Sequence, residues 1–84
     1  MTVYIDDCMI PFGRMLMSHM MGTDLQELHD LAQKIGLRRE WFQDKRIPHY
    51  DVSKAKRIEA IQAGAVKIMC SELPDDVIRN RERG

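Results

Sequence analysis

Gly13-Arg14-Met15-Leu16-Met17-Ser18-His19-Met20-Met21-Gly22 is the stretch whose reading decides the fold. Met15–Met21 is an apolar run between two glycines, of strand length rather than helix length. It does not alternate cleanly, which suits a central strand covered on both faces. Five of the seven methionines lie between Met9 and Met21. Methionine fills irregular core gaps and also makes adaptable contact surfaces, so core packing and a partner groove are both open to the run.

Upstream, Thr2–Ile5 reads as a first strand: four good β-formers, with Val3 and Ile5 alternating against Thr2 and Tyr4. Asp6-Asp7 follow at its carboxyl end, where α/β folds bind ligands. The plainer reading is that Asp7 starts a turn that Pro11 and Gly13 continue. Downstream, Thr23-Asp24-Leu25-Gln26 is a capping-box pattern with Thr23 as N-cap. It predicts a helix to about Ile35, with Leu25, Leu28, Ala32 and Ile35 as the buried stripe and Gly36 just past its end. His29 falls at the margin of that stripe. Leu37–Gln43 fits a helical turn or a short strand, and Pro48 closes a polar loop from Asp44. Ser53 predicts the cap of a second helix, Lys54 to about Ala63, with Ala55, Ile58 and Ile61 facing inward and Gly64 ending it. Ala65–Met69 reads as a short strand buried apart from Lys67. Leu73–Asn80 reads as a last short helix, and residues 79–84 as a frayed tail.

Strands alternating with helices predict an α/β layer fold. The expected sheet is mainly parallel, three- or four-stranded, and flanked by two or three helices. Residues 1–84 make a single domain, short enough to bury only about 60% of the surface its unfolded chain exposes. A core that thin favours a homodimer. Cys8 and Cys70 form neither a C-x-x-C pair nor a disulfide framework, so two reduced, packed thiols in a cytoplasmic protein are expected. The first residues lack a basic and an apolar leader region, and no apolar run approaches the ~18 residues of a membrane helix.

The net charge is zero but unevenly spread. Residues 1–33 hold one base against five acids, residues 34–57 eight bases against three acids, and residues 58–84 four bases against five acids. The basic middle also holds Trp41, Phe42 and Tyr50. Bases interleaved with aromatics suit phosphates and unstacked nucleobases, so nucleic-acid binding is one reading. A solvated face folded against its own acids is the other.

Pro48-His49-Tyr50-Asp51 is the densest chemical stretch. In an extended segment, residues two apart point the same way, so His49 and Asp51 face one ligand. Such a pair binds a metal, exchanges a proton, or orients itself. Asp6 joins them as a catalytic or metal-ligating candidate. Imidazole and carboxylate ligands suit Zn²⁺ or Mn²⁺. His19 and His29 bring the remaining imidazoles, and Tyr50 a phenol. Arg14 and Arg57 are the expected anion partners. Each histidine also has a structural reading, and Asp51 has one as a helix cap. Neither a nucleophile elbow nor a phosphate-binding glycine loop occurs, and Ser18 and Cys8 are nucleophiles only by residue type.

Ile5-Asp6-Asp7, Arg14, His19, Glu27-Leu28-His29, Phe42-Gln43, His49-Tyr50-Asp51, Arg57, Gly64-Ala65 and Glu72-Leu73 resemble, in order and spacing, a family of small phage and bacterial proteins. That family is known only as a domain of unknown function. Many of its members carry a tryptophan two residues before the second-strand histidine, where this chain has Met17. The resemblance implies a phage origin and a cytoplasmic host setting, and puts all three histidines on motif positions. Two expectations follow. One is a pocket of Asp6, His19, His29, His49 and Asp51 that binds a phosphorylated ligand or metal and hydrolyses a phosphoester. The other is a non-catalytic module that docks on a host protein through its methionine-rich strand and Trp41-Phe42.

Overall fold

In the computed structural model, which describes residues 2–80, every sheet contact but one runs through a single long strand. The elements are β1 (Val3–Ile5), β2 (Ile10–Phe12), β3 (Met15–Gly22), α1 (Leu25–Lys34), a 3₁₀ turn (Arg39–Trp41), β4 (Tyr50–Ser53), α2 (Lys54–Gln62) and β5 (Val66–Lys67). Strand β3 pairs antiparallel with β1, β2 and β4, and β5 adds parallel to β1. The fold is α/β as expected. The five-stranded sheet is mixed, not mainly parallel. The difference arises at Gly13-Arg14. Phe12 faces Met15 across this two-residue turn, with Gly13 at φ 62°, so the chain returns antiparallel at once. Read as a loop, that Gly-X turn hides both β2 and the hairpin.

β1 and β2 are two parts of one lane along β3. Ile5 pairs with Met20 and Ile10 with Met17. Five residues of advance on one side therefore face three on the other, and Asp6–Met9 bulge outward by two residues. Bulges bend a strand and re-aim its side chains.

Both helices pack on one face of the sheet. Val3, Ile5, Met20, Tyr50 and Val52 point toward them and join Leu28, Leu31, Ala32, Ile35 and Ala60 in the core. β3 is thus central in its pairing, but its other face carries His19 rather than a second apolar layer. Helix α1 forms where expected, one residue later at its start. Asp24 is the N-cap and accepts from the Glu27 amide. Thr23 instead ties the chain to Thr2, whose amide donates to its hydroxyl oxygen at 3.0 Å. Gly36, at φ 85°, ends α1 in the left-handed region.

Ser53 caps α2 as read, but the inward face differs. Ala55 and Ile58 are exposed, and Ala60 is the buried residue. Lys56 and Arg57 lie half-buried along the inner side because each finds a carbonyl. Lys56 Nζ donates to Ile35 O at 2.6 Å and Arg57 Nε to Asp6 O at 2.8 Å. Ala65–Met69 contributes only Val66–Lys67 as strand, and both are exposed at the sheet edge. Residues 73–80 are turns and extended chain rather than a helix, anchored by buried Val77. Of the tail read as frayed, Arg79 and Asn80 are tied down, and residues 81–84 lie outside the described residues.

Cys8 and Cys70 are not separate thiols. They form a disulfide, with Cα atoms 4.9 Å apart and a sequence separation of 62. The bulge carries Cys8 to where the chain passes after β5, a proximity invisible in the spacing. Closing a loop this long removes about 4 kcal/mol of unfolded-state freedom in the chain-entropy picture. Cys70→Ser, or reduction, is therefore expected to lower the unfolding free energy by up to about 4 kcal/mol in urea titration. Two titratable thiols in unreduced, denatured protein, together with no effect of reductant, would refute the bridge.

Candidate metal centre

The face of the sheet away from the helices carries a row of polar side chains set by register. His19 pairs with Asp51 across β3 and β4. On the other side of β3, the Asp6 amide donates to His19 O at 3.0 Å. Directly paired residues point to the same face, so Asp6, His19 and Asp51 lie side by side across three lanes. His49, two residues before Asp51, falls on that face as the alternation requires. It is paired with Gln43 through two backbone hydrogen bonds of 2.9 and 3.1 Å.

Asp6 is 4% exposed and fully engaged. Its Oδ1 accepts from the amides of His19 at 2.8 Å and Cys8 at 3.2 Å. Its Oδ2 lies 2.8 Å from His19 Nδ1. A carboxylate that holds two amides is an acceptor, so His19 Nδ1 donates to it and Nε2 faces the other way. His49 Nδ1 lies 2.7 Å from the Ile47 carbonyl, which also accepts only. His49 Nε2 likewise faces away from its partner. Asp51 Oδ2 accepts from Gln43 Nε2, which turns Oδ1 toward the imidazoles.

Asp51 Oδ1 then lies 3.5 Å from His49 Nε2 and 3.9 Å from His19 Nε2. All three ligand atoms fall within 4.8 Å of one another. The two rings meet edge to face, 5.2 Å between centroids. Two donors held about 2.1 Å from one tetrahedral ion sit about 3.4 Å apart, so the two carboxylate–imidazole spacings lie within about half an ångström of that value. Two imidazoles and one carboxylate with open positions are a recurrent metal-binding set.

Two hollows meet at this cluster. One, of about 380 Å³, is lined by Asp6, His19 and His49, by the Cys8–Cys70 bridge, and by Lys45 and Arg46. The other, of about 310 Å³, lies on the side of Phe12 and Met17 and reaches Gln43 and Asp51. Lys45 and Arg46 thus occupy the place expected of Arg14 and Arg57. Arg14 is exposed at the hairpin turn, five residues or ~16 Å of strand from His19. Arg57 Nε is committed to the Asp6 carbonyl. Nothing in the sequence pointed to Lys45 or Arg46 beyond their place in the basic middle, nor to Gln43 as the support of Asp51.

His29 and Tyr50 do not join the cluster. Tyr50 points to the helix face, opposite its neighbours His49 and Asp51, and its hydroxyl hydrogen-bonds His29 Nδ1 at 2.8 Å. Phe42 packs edge-on against His29, with ring centroids 4.6 Å apart. Burial, and after it the Arg39 guanidinium, pushes the His29 pKa below its ordinary 6.5, while Asp30 pulls the other way. Burial pushes the Tyr50 phenol up. The three-histidine pocket therefore resolves into a pair and a separate third.

The chain belongs to the family described as "Protein of unknown function (DUF4031)", whose model matches residues 3–80. The family resemblance read in the sequence is borne out. Searches of curated proteins and of solved structures return no match. Among the described residues no helix is long and apolar enough to cross a membrane.

His29 gives a pH expectation of definite sign. Its folded-state pKa lies below 6.5, so the unfolded chain takes up the proton first. The stability carried by neutral His29 is complete above 6.5 and is lost as pH falls through the folded-state value. Urea midpoints between pH 7.5 and 5 should therefore fall more steeply for the wild type than for His29→Gln. Parallel slopes would contradict the assignment.

Proposed function

We propose that His19, His49 and Asp51 hold a divalent metal ion, zinc or manganese, and that this centre hydrolyses phosphoesters. One observation carries the reading: two imidazole Nε2 atoms and one carboxylate oxygen converge within 4.8 Å of one another. With both rings neutral these are three facing acceptors, a set that suits a cation between them, and the fold holds each one there through its other end. Asp6 fixes His19, Ile47 O fixes His49, and Gln43 fixes Asp51. Such outer partners set the tautomer and direction of metal ligands. Asp6, expected as a ligand, stands behind His19 instead, since both of its oxygens are taken.

Lys45 and Arg46 line the same hollow as both imidazoles and favour an anionic substrate. Held by His19, His49 and Asp51, such an ion would supply a lowered pKa of bound water and polarisation of a phosphoryl oxygen. In the reaction, water oxygen bonds to phosphorus, the ester P–O bond breaks, and the water proton passes to the leaving oxygen. Lys45 and Arg46 offset the charge on the phosphoryl oxygens.

Equilibrium dialysis against Zn²⁺ or Mn²⁺ is expected to give one ion per chain, lost in His19→Ala and His49→Ala. Asp6→Asn should keep the ligands but weaken metal affinity 10- to 100-fold, because His19 loses its charged orienting partner. Hydrolysis of bis(p-nitrophenyl) phosphate should require the metal and vanish with His49→Ala. A wild-type protein that takes up neither metal stoichiometrically would dispose of the proposal.

A further inference from the structure

A third hollow adjoins the one on the side of Phe12 and Met17, and it is of a different kind. It measures about 680 Å³, within the range of small-molecule sites. Phe12, Met15, Trp41 and Phe42 make its walls, and it shares Phe12, Met17, Gln43 and Asp51 with the hollow beside His19 and His49. Through these shared lining residues the three lie in a row, the path a substrate would follow. Lys45 and Arg46 stand at one end, the two histidines and Asp51 in the middle, and the aromatic walls at the other end.

Phe42 packs against the core, but Phe12 and Trp41 do not belong to it. Phe12 is 71% exposed and Trp41 49%. The 3₁₀ turn that presents Trp41 has no buried residue, and the Arg38 guanidinium sits 5.8 Å from the Trp41 ring centroid. Leaving two large aromatic rings in water has no folding benefit, since their burial is what would stabilise the fold. What they offer is a flat apolar surface beside an anion site, in reach of one substrate.

We infer that the substrate is a nucleotide, its phosphate at the His19–His49–Asp51 centre with Lys45 and Arg46, and its base against Trp41 and Phe12. This rests on the phosphoester reading and extends it to a substrate class. The order of chemistry along the path matches that of a nucleotide: anion, linker, flat ring. Base–aromatic stacking tolerates any base, so the site distinguishes a nucleoside phosphate from a sugar phosphate rather than one base from another. Phe12 rides on the β2–β3 hairpin and Trp41 on the 3₁₀ turn, so neither ring is needed to hold the metal ligands.

The probes are adenosine 5′-monophosphate, ribose 5-phosphate and inorganic phosphate, titrated calorimetrically into protein pre-equilibrated with Zn²⁺ or Mn²⁺. Adenosine monophosphate should bind at least tenfold tighter than ribose 5-phosphate and quench the fluorescence of Trp41, the single tryptophan. Trp41→Ala should remove that advantage while leaving inorganic phosphate and metal affinity unchanged, and Trp41→Phe should retain most of it. Phe12→Ala provides a second, independent truncation at an exposed position. Equal affinity for the nucleotide and the sugar phosphate, or an advantage that survives Trp41→Ala, overturns the inference. Metal dialysis separates the two ideas. If no ion binds but the nucleotide keeps its advantage, the base site stands and the metal reading falls. If the ion binds and the advantage is absent, the reverse holds.

Discussion

The Asp6 carboxylate is the constraint on which most of the structure depends. It is buried, and a buried carboxylate left unpaired costs several kcal/mol. Two backbone amides and one imidazole satisfy it. The Cys8 amide reaches it only because the β1–β2 lane bulges, and that bulge also swings Cys8 toward Cys70. The His19 imidazole meets it because register places the two residues side by side. Arg57 then holds the Asp6 carbonyl from α2. Strand, bulge, disulfide and helix are thus located by the hydrogen-bonding demands of one residue, and the direction of His19 Nε2 follows from them.

What could be read in the sequence was what depends on near neighbours. The β3 run, the α1 cap region, Gly36 and the Ser53 cap are all local signals, and the structure keeps them. His49 and Asp51 on one face came from strand alternation alone. The rest is non-local. Register decides that His19 lies opposite Asp51, and β3 meets β4 only after α1 and the 3₁₀ turn have intervened, so no spacing reveals it. On α2, Ile61 packs against the core as expected, but Ala55 and Ile58 do not. Its lysine and arginine reach the carbonyls of Ile35 and Asp6, just past α1 and β1, which leaves Ala55 and Ile58 facing outward. The disulfide spans nearly the whole chain, and parallel pairing was inferred from element order, although Gly13-Arg14 turns the chain straight back.

Alternation in β4 also explains why a three-histidine site does not form. Tyr50 sits between His49 and Asp51, so its side chain must enter the opposite face. There its hydroxyl needs a partner when buried, and His29 on α1 supplies one. His29 thereby becomes part of the core margin, where a neutral imidazole fits and a charged one does not. His19 and His49 keep their Nδ1 protons engaged and their Nε2 atoms directed outward. The same residue type packs at the core margin on one side of the sheet and joins a polar cluster on the other. Which role each histidine takes follows from whether its strand or helix position faces the helical layer.

The polar face has no helix over it, and its wall is built from chain that lacks regular structure. Residues 44–47 bring Lys45 and Arg46 to the hollow beside the histidines and the Ile47 carbonyl to His49 Nδ1. Nothing in that loop is regular enough to fix itself. It is held from the far end of the chain. Asn80 donates its amide to Arg46 O and its side chain to Asp44 Oδ1 and Lys45 O. Residues 74–80 are held in turn by the Ile78 amide on Gly22 O, by the Tyr4 hydroxyl on Asp76, and by Arg79 capping the carbonyls of Pro74, Asp75 and Val77. The segment expected as a last short helix running into a frayed tail is therefore the strut of the cleft. In a chain too short to spare a third layer, the terminal residues and one covalent bridge do the work that a covering helix does in a larger fold.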